Sequence, residues 1–424
     1  MALRSIARSF AHRNFRLFFS GQGLSLIGTQ VQIIALPWFV LRLTGSAQWL
    51  GWVSFAGQFP AVFATPLAGV IADRVNKRRL LLITQTLAML QAVVLAALTL
   101  SHTIEVWHIL LLSVGLSLVN AFDLPTRQSL LTEFVGGTED LGNAIALNSA
   151  IFNATRLIGP TVAALLIAWI GEGGCFLVNA LSFLAVLLAL VAMRLPPRPI
   201  AAANGSAWSG AIEGLRYTLG SRPIVSVLFL AALVSLLAVP YNVLLPVLVQ
   251  REFKGDAWLN GFLFTASGLG ALAGGLFLAS RHGVLGMLKN VWLLPIVTAA
   301  ALLALSWNSN RWLAAPLVFL IGLTVVMLLT TCNMTLQSVV ADHMRARVLS
   351  LYALIFLGMN PLGSLLAGSL TEREDVFLTL RLFGACLGCG AAIFGATLAR
   401  PLYRQAAAQF AAKVEPVAAT AEAA

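Results

Sequence analysis

Charge is what this chain has least of. Only 10% of its 424 residues are Asp, Glu, Lys or Arg, and the acidic ones number 16. A soluble globular domain carries about a quarter charged residues, so that class is excluded. Four cysteines exclude a disulfide scaffold. Cys175, Cys332, Cys386 and Cys389 read as small apolar fillers. Cys386 and Cys389 have redox spacing, but an apolar helix keeps a thiol protonated and inert. No nucleophile–base set, nucleotide loop or metal-ligand cluster stands out, so neither an enzyme nor a bound cofactor is expected. No Asp or Glu falls in the middle of any apolar run. That weakens a simple proton antiport, which uses an intramembrane carboxylate as carrier. The carboxylates sit instead at the margins. Asp73, Asp123, Glu133 and Asp342 are placed at one surface, with Glu105 and Glu172 at the other near His102 and His108.

What is there in quantity is hydrocarbon. The chain is 59% hydrophobic with a mean hydropathy of +0.89. A helix needs about 20 apolar residues to cross a bilayer. Twelve such runs are read, at 17–41, 47–72, 80–100, 105–123, 142–169, 173–194, 223–249, 257–280, 285–306, 311–336, 347–370 and 376–399. The net charge of +11 reflects topology rather than nucleic acid. With the N-terminus inside, 20 Lys and Arg fall on the inner side and 6 on the outer. That bias puts both termini in the cytoplasm. Met1–Arg16 is basic but has no cleavage site, so the first span is expected to stay.

Three weak internal matches fall near one offset, at 203, 209 and 204 residues. Ala35–Leu41 pairs with Ala238–Leu244, Gln128–Glu133 with Gln337–Asp342, and Ala146–Phe152 with Ser350–Phe356. They argue for two parallel six-helix halves, a recurrent transporter plan. The expected divisions are 1–195 for the first half, 196–222 for a cytoplasmic linker, 223–400 for the second half and 401–424 for a poorly ordered tail. In the linker, Trp208–Leu219 has the pattern of a short amphipathic helix on the membrane face.

Polar residues inside the spans are the candidate site. Gln22, Ser25, Thr29 and Gln32 share one helix face in span one. Either they wall a wet cavity or they bond to neighbouring helices. Ser113, Ser117 and Asn120 form a shorter stripe in span four. Tyr241 and Asn242 follow Pro240 in span seven, and Thr331, Asn333 and Gln337 lie in span ten. A mostly apolar cavity with dispersed hydrogen-bonding groups suits a bulky amphipathic molecule. Arg156 is the only charge deep in a span, where an arginine costs about 2.5–3.5 kcal/mol. It reads equally as a contact for an anionic substrate and as a clamp between helices. Glycines in spans eight and eleven (Gly268, Gly270, Gly274, Gly275, Gly358, Gly363, Gly368) provide close or sliding surfaces.

One stretch is more specific. Gly69-Val-Ile-Ala-Asp73-Arg74-Val-Asn76-Lys77-Arg78-Arg79 packs a carboxylate and four cations into seven residues between two spans. It resembles the cytoplasmic signature of the major facilitator superfamily, with Asn76 in place of the second glycine. Asn tolerates a left-handed backbone, so a turn is expected to persist there. His12–Phe19, Asp123–Gln128 and Asn143–Ser149 resemble one bacterial branch of that superfamily, containing enterobactin exporters and macrolide-efflux proteins. Arg156–Pro160 is similar to the superfamily's antiporter motif, with Gly159 and Pro160 kept and Ala163 and Ala164 replacing its paired glycines.

The resemblance implies an all-α membrane protein of twelve transmembrane helices in two halves, the major facilitator fold. It implies alternating access, with Gly69, Asp73, Arg74, Lys77, Arg78, Asp123 and Arg127 as a latch. In that scheme Asp73 caps helix eleven near Arg345–Arg347, and Asp123 at the end of helix four completes the network. The expected protein is a monomeric, multi-pass exporter in a bacterial inner membrane. It takes an amphipathic small molecule, a siderophore or a drug-like compound, with the proton as coupling ion and no nucleic-acid partner. An importer on the same fold, or a non-transporting sensor or lipid-handling protein, is the alternative.

Overall fold

The computed structural model describes residues 8–135, 140–193, 207–281, 291–399 and 401–404. All its regular structure there is helical. The first helices are α1 (Arg13–Thr44), α2 (Ala47–Arg74), α3 (Lys77–Leu100) and α4 (Val106–Phe134). A 52-residue helix, α5 (Leu141–Ala192), is broken at Gly171, whose φ of 69° only glycine adopts easily. Its two arms coincide with expected spans five and six. Next come the linker helix α6 (Ala207–Leu219), then α7 (Arg222–Leu237) and α8 (Tyr241–Val247), which continues into a π-helical stretch, Leu248–Glu252. The last five are α9 (Ala257–Ala279), α10 (Leu293–Ser306), α11 (Arg311–Val339), α12 (Asp342–Arg373) and α13 (Val376–Thr397). Among the described residues, nine helical segments are long and apolar enough to cross a membrane, and α10 is a shorter apolar helix.

Helix α4 runs 11 residues past the expected end of span four at Asp123. Pro125 is absorbed inside it because the following turns have a core to join. Leu130, Leu131 and Phe134 are buried with Phe15 and Phe18 of α1 and Leu190 of α5. Phe18 and Phe134 stack with ring centroids 4.6 Å apart. Asp123 therefore lies about 17 Å before the end of its helix, which corrects its expected place at the end of helix four.

The chain forms two compact units, Met1–Asn204 with Val249–Thr265, and Gly205–Leu248 with Ala266–Ala424. In the first, α1 packs along α5. Gly21 and Gly28 allow this, since a Cβ at either would strike Ala185, Ser182 or Asn179. Two contacts link each of the stretches His12–Phe19 and Asn143–Ser149 to a residue just before the other. The Ser9 hydroxyl donates to Asn143 Oδ1 at 2.8 Å, and His12 Nε2 lies 2.9 Å from Asp140 Oδ2.

In the second unit, α9 and α11 cross through glycines. A Cβ on Gly270 would meet the Phe319 carbonyl, and one on Gly322 the Ser267 carbonyl. The expected amphipathic helix is present as α6, although the Trp208 side chain lies outside those described. It is tied to the start of α12, with Glu213 2.7 Å from Arg347. The linker before it and the tail after Arg404 also lie outside the described residues.

These crossings make a paired prediction. Alanine at an open helical glycine gains up to about 1 kcal/mol of helix propensity. Gly275, with nothing near its added Cβ, should show that gain. Gly322→Ala should instead lose about 1–3 kcal/mol by overpacking. Thermal melting of the two variants in detergent checks the difference in sign.

Candidate functional site

The Gly69–Arg79 stretch forms a turn by a different route from the expected one. Val75 and Asn76 are both extended, with Asn76 at φ −65°, ψ 108°. Asn76 does not take the left-handed conformation of the glycine it replaces. It caps α3, its Oδ1 accepting the Arg79 backbone N–H at 3.1 Å. That is the commonest service of an asparagine before a helix. Gly69 has open space where a Cβ would be. Arg74 and Arg79 are exposed and Lys77 is half-buried. Arg78 reaches across to the C-terminus of α5, donating to the Leu190 carbonyl at 3.1 Å and the Val191 carbonyl at 2.9 Å. A cation there is favoured by the helix dipole. Asp73 is in the last turn of α2, and its side chain lies outside those described.

Asp123 is 2% exposed and sits in a cage of donors. It accepts from the Thr84 hydroxyl at 2.8 Å and from Gln85 Nε2 at 2.7 Å, both on α3, and pairs with Arg127 one turn on. Among the described residues its partners are these three, all within the first unit. At the start of α12, Asp342 pairs with Arg345.

The polar stripe of α1 divides. Gln22, Ser25 and Gln32 are buried, while Thr29 is half-buried. Gln32 bonds helices together, donating to Gln91 Oε1 of α3 at 3.3 Å and accepting from Asn179 Nδ2 of α5 at 2.7 Å. The interhelical reading fits this residue. Ser117 is likewise buried, its hydroxyl oxygen accepting the Ala61 N–H of α2 at 3.2 Å, whereas Asn120 is exposed. In the second unit the hydroxyl of Tyr241, a buried side chain, meets that of Ser267. Asn242 and Asn333 are half-buried, and exposed Gln337 donates to Asn333 Oδ1 at 2.5 Å.

Arg156 is exposed, halfway between the start of α5 at Leu141 and its break at Gly171. Ser149 and Asn153, also exposed, share its helix face. It is therefore not a buried charge. Among the described residues the buried charged side chains are Asp123 and Glu172, each 2% exposed. Gly159 and Pro160 are buried, and a Cβ on Gly159 would lie 2.5 Å from Gln30 of α1. The motif's glycine thus sets how closely α5 approaches α1.

Sequence reasoning did not single out Thr84, Gln85, Gln91 or Asn179. Gln91 and Asn179 are lone polar residues in apolar runs, and Thr84 and Gln85 begin a short polar triplet with Thr86, the one signal available for them.

Helices of this length and apolarity, joined by a basic turn and carrying interior polar networks, define a multi-pass membrane transporter. A family model described as transmembrane secretion effector matches residues 5–419, and the chain belongs to that family of the major facilitator superfamily. It is 30% identical over 384 residues to the staphyloferrin A transporter of Staphylococcus aureus, covering 89% of this chain and 95% of that protein. It is 27% identical over 376 residues to the multidrug efflux pump Tap of Mycolicibacterium fortuitum, covering 85% and 90% respectively. In three dimensions it resembles a crystal structure of a variant of the nucleoside transporter NupG. The TM-score is 0.73 at 15% identity, covering 91% of this chain and 100% of that one. That likeness shows the fold.

The Asp123 cage makes a stability prediction. Asp123→Ala strands Arg127, whose side chain is 22% exposed, and should cost about 3 kcal/mol, the low end for a broken buried pair. Replacing both partners, with Asp123→Leu and Arg127→Met, should recover only part of the loss, because buried Gln85 Nε2 still lacks its acceptor. Melting of the purified variants measures both.

Proposed function

We propose that this chain exports an amphipathic small molecule, a siderophore or a drug-like compound, across the bacterial cytoplasmic membrane. It does so by alternating access, driven by the proton gradient, as a monomer crossing twelve times with both termini inside. The observation that carries this reading is Arg156. It stands about 22 Å from either end of its helical arm, yet its side chain is exposed. An arginine facing lipid at that depth is heavily penalised. Arg156, with Ser149 and Asn153 on the same face, therefore lines a path that water reaches. In the same unit partly accessible Thr29 and exposed Asn120 add polar groups on other helices, and the second unit has polar groups of its own in partly accessible Asn242 and Asn333 and exposed Gln337. Gln32 and Ser117 hold helices of the first unit together and Tyr241 does so in the second, while Gln22 and Ser25 are buried on the face of α1 that carries Gln32.

The names of two relatives, a staphyloferrin A transporter and a multidrug efflux pump, support this substrate class, and the second supports the outward direction. Their shared chemistry is a bulky molecule with dispersed polar groups. A guanidinium adds affinity for catecholates, carboxylates or other anionic oxygens. The turn after α2 is the latch. Asp73 is its acidic member, Arg74 and Lys77 are its cations, Arg78 anchors it on α5, and Asp123 with Arg127 forms its buried support.

In iron-starved cells lacking their own exporters, expression should move siderophore into the medium, measured by mass spectrometry alongside fluorescent-drug accumulation. Arg156→Ala should lower export at least tenfold at normal membrane abundance, while Arg156→Lys retains part of it. Unchanged transport by Arg156→Ala would make the residue structural.

The latch and the driving force have their own readouts. Asp73→Asn should reduce transport with insertion unaffected. Collapse of the pH gradient should stop export in the unmodified protein, and export that persists would point to another ion.

A further inference from the structure

At the end of the first unit opposite the Lys77 turn lies a cleft of about 430 Å³. This is within the size range of small-molecule sites. Its walls are largely apolar, with Phe39 and Leu43 from α1, Leu100 from α3, and Ile104 and Ile170 nearby. Three charged or titratable side chains face it, namely Arg42, His102 and Glu172.

Glu172 is the unusual member. It is 2% exposed, and only one of its oxygens is used, Oε2 lying 2.7 Å from the Arg42 guanidinium. Oε1 is buried with no hydrogen-bond partner among the described residues. Arg42 is 59% exposed, so the charge opposing Glu172 is held loosely at the mouth. A buried carboxylate oxygen without a donor is costly, and a donor entering the cleft would relieve it.

The backbone favours the same sign of ligand. Three helix C-termini meet at this cleft. Helix α1 ends at Thr44, α3 at Leu100, and the first arm of α5 at the Gly171 break, and all three contribute lining residues. Helix C-termini carry partial negative charge and stabilise cations. Two lining residues, His102 at φ 56° and Gly171 at φ 69°, hold left-handed backbone. Such conformations cluster at ligand sites.

We infer that this cleft binds an organic cation, an ammonium or amidinium group on an apolar body, with Glu172 as its anchor and Arg42 as the group it displaces. A single carboxylate does not furnish the six or more oxygens that calcium takes, or the octahedral shell of magnesium. The apolar walls match an organic body instead. The site is distinct from the Arg156 face, about 22 Å along the same helical arm, and does not depend on the transport reading.

The test is a titration of the purified full chain in nanodiscs with p-aminobenzamidine, an amidinium whose fluorescence rises in apolar surroundings. Saturable binding is expected. Glu172→Gln, which keeps the shape, should weaken it at least tenfold, and Arg42→Ala should tighten it about threefold or more by removing the competing cation. Leu43→Trp, which fills the cleft and leaves the carboxylate in place, should also abolish binding, and this guards against a Glu172 variant that folds poorly. Arg156→Ala should leave the titration unchanged. Absence of saturable binding, or binding indifferent to Glu172→Gln, overturns the inference. So does displacement of the probe by magnesium chloride at matched ionic strength, which would mark an inorganic-cation site.

Discussion

A polar group inside hydrocarbon must find a partner or water, and this molecule is arranged around that demand. Helices satisfy their own backbone, which is why all the regular structure among the described residues is helical. The side chains that break the apolar pattern then have two outcomes. Gln32 bonds to Gln91 and Asn179 and thereby fixes α1, α3 and α5 to one another. Asp123 does the same for α3 and α4 through Thr84 and Gln85. Arg156 bonds into no such network among the described residues and stands exposed, which is the physical basis for assigning it to a water-filled path.

The same demand explains how the first unit is closed at its ends. Arg78 covers two of the last carbonyls of α5, and Asn76 covers one of the first N–H groups of α3, that of Arg79. One short basic stretch therefore both ends a helix and starts the next. It also ties them to a third. At the opposite end Glu172 and Arg42 pair across a helix break that only glycine makes comfortable. Packing between these fixed ends relies on small residues, with Gly28 beside Asn179 and Gly159 beside Gln30. Where a Cβ has no room, backbones approach closely enough for short polar side chains to reach across.

Much of this was legible in the sequence because hydropathy and charge act locally. The expected spans fall on helices, with the ninth only partly within the described residues, and the amphipathic pattern at 208–219 is a helix. The membership implied by the Gly69–Arg79 stretch is shown by the family match. What was not legible depended on neighbours. The charges after Asp123 read as the end of a span. Helix α4 continues because Leu130, Leu131 and Phe134 have Phe15 and Phe18 to pack against. Arg156 read as a buried charge because its depth is local information, whereas its exposure depends on which face of α5 is covered. The Gln32 network needed three helices to be brought together, so one helix face could not distinguish a cavity wall from a bond. Asn76 stood where a glycine was expected and formed the turn as a cap instead.

The claim most in need of a direct test is that the Arg156 face of α5 meets water and not lipid. Cysteine placed at position 156, with the four native cysteines replaced, should react with a membrane-impermeant maleimide in intact membranes. Cysteine at position 158 should not, because Ile158 is exposed but apolar and lies on another face. The account predicts rapid labelling at 156 and protection at 158. Protection at both positions would place Arg156 against hydrocarbon or protein and contradict the water-filled path on which the transport reading rests.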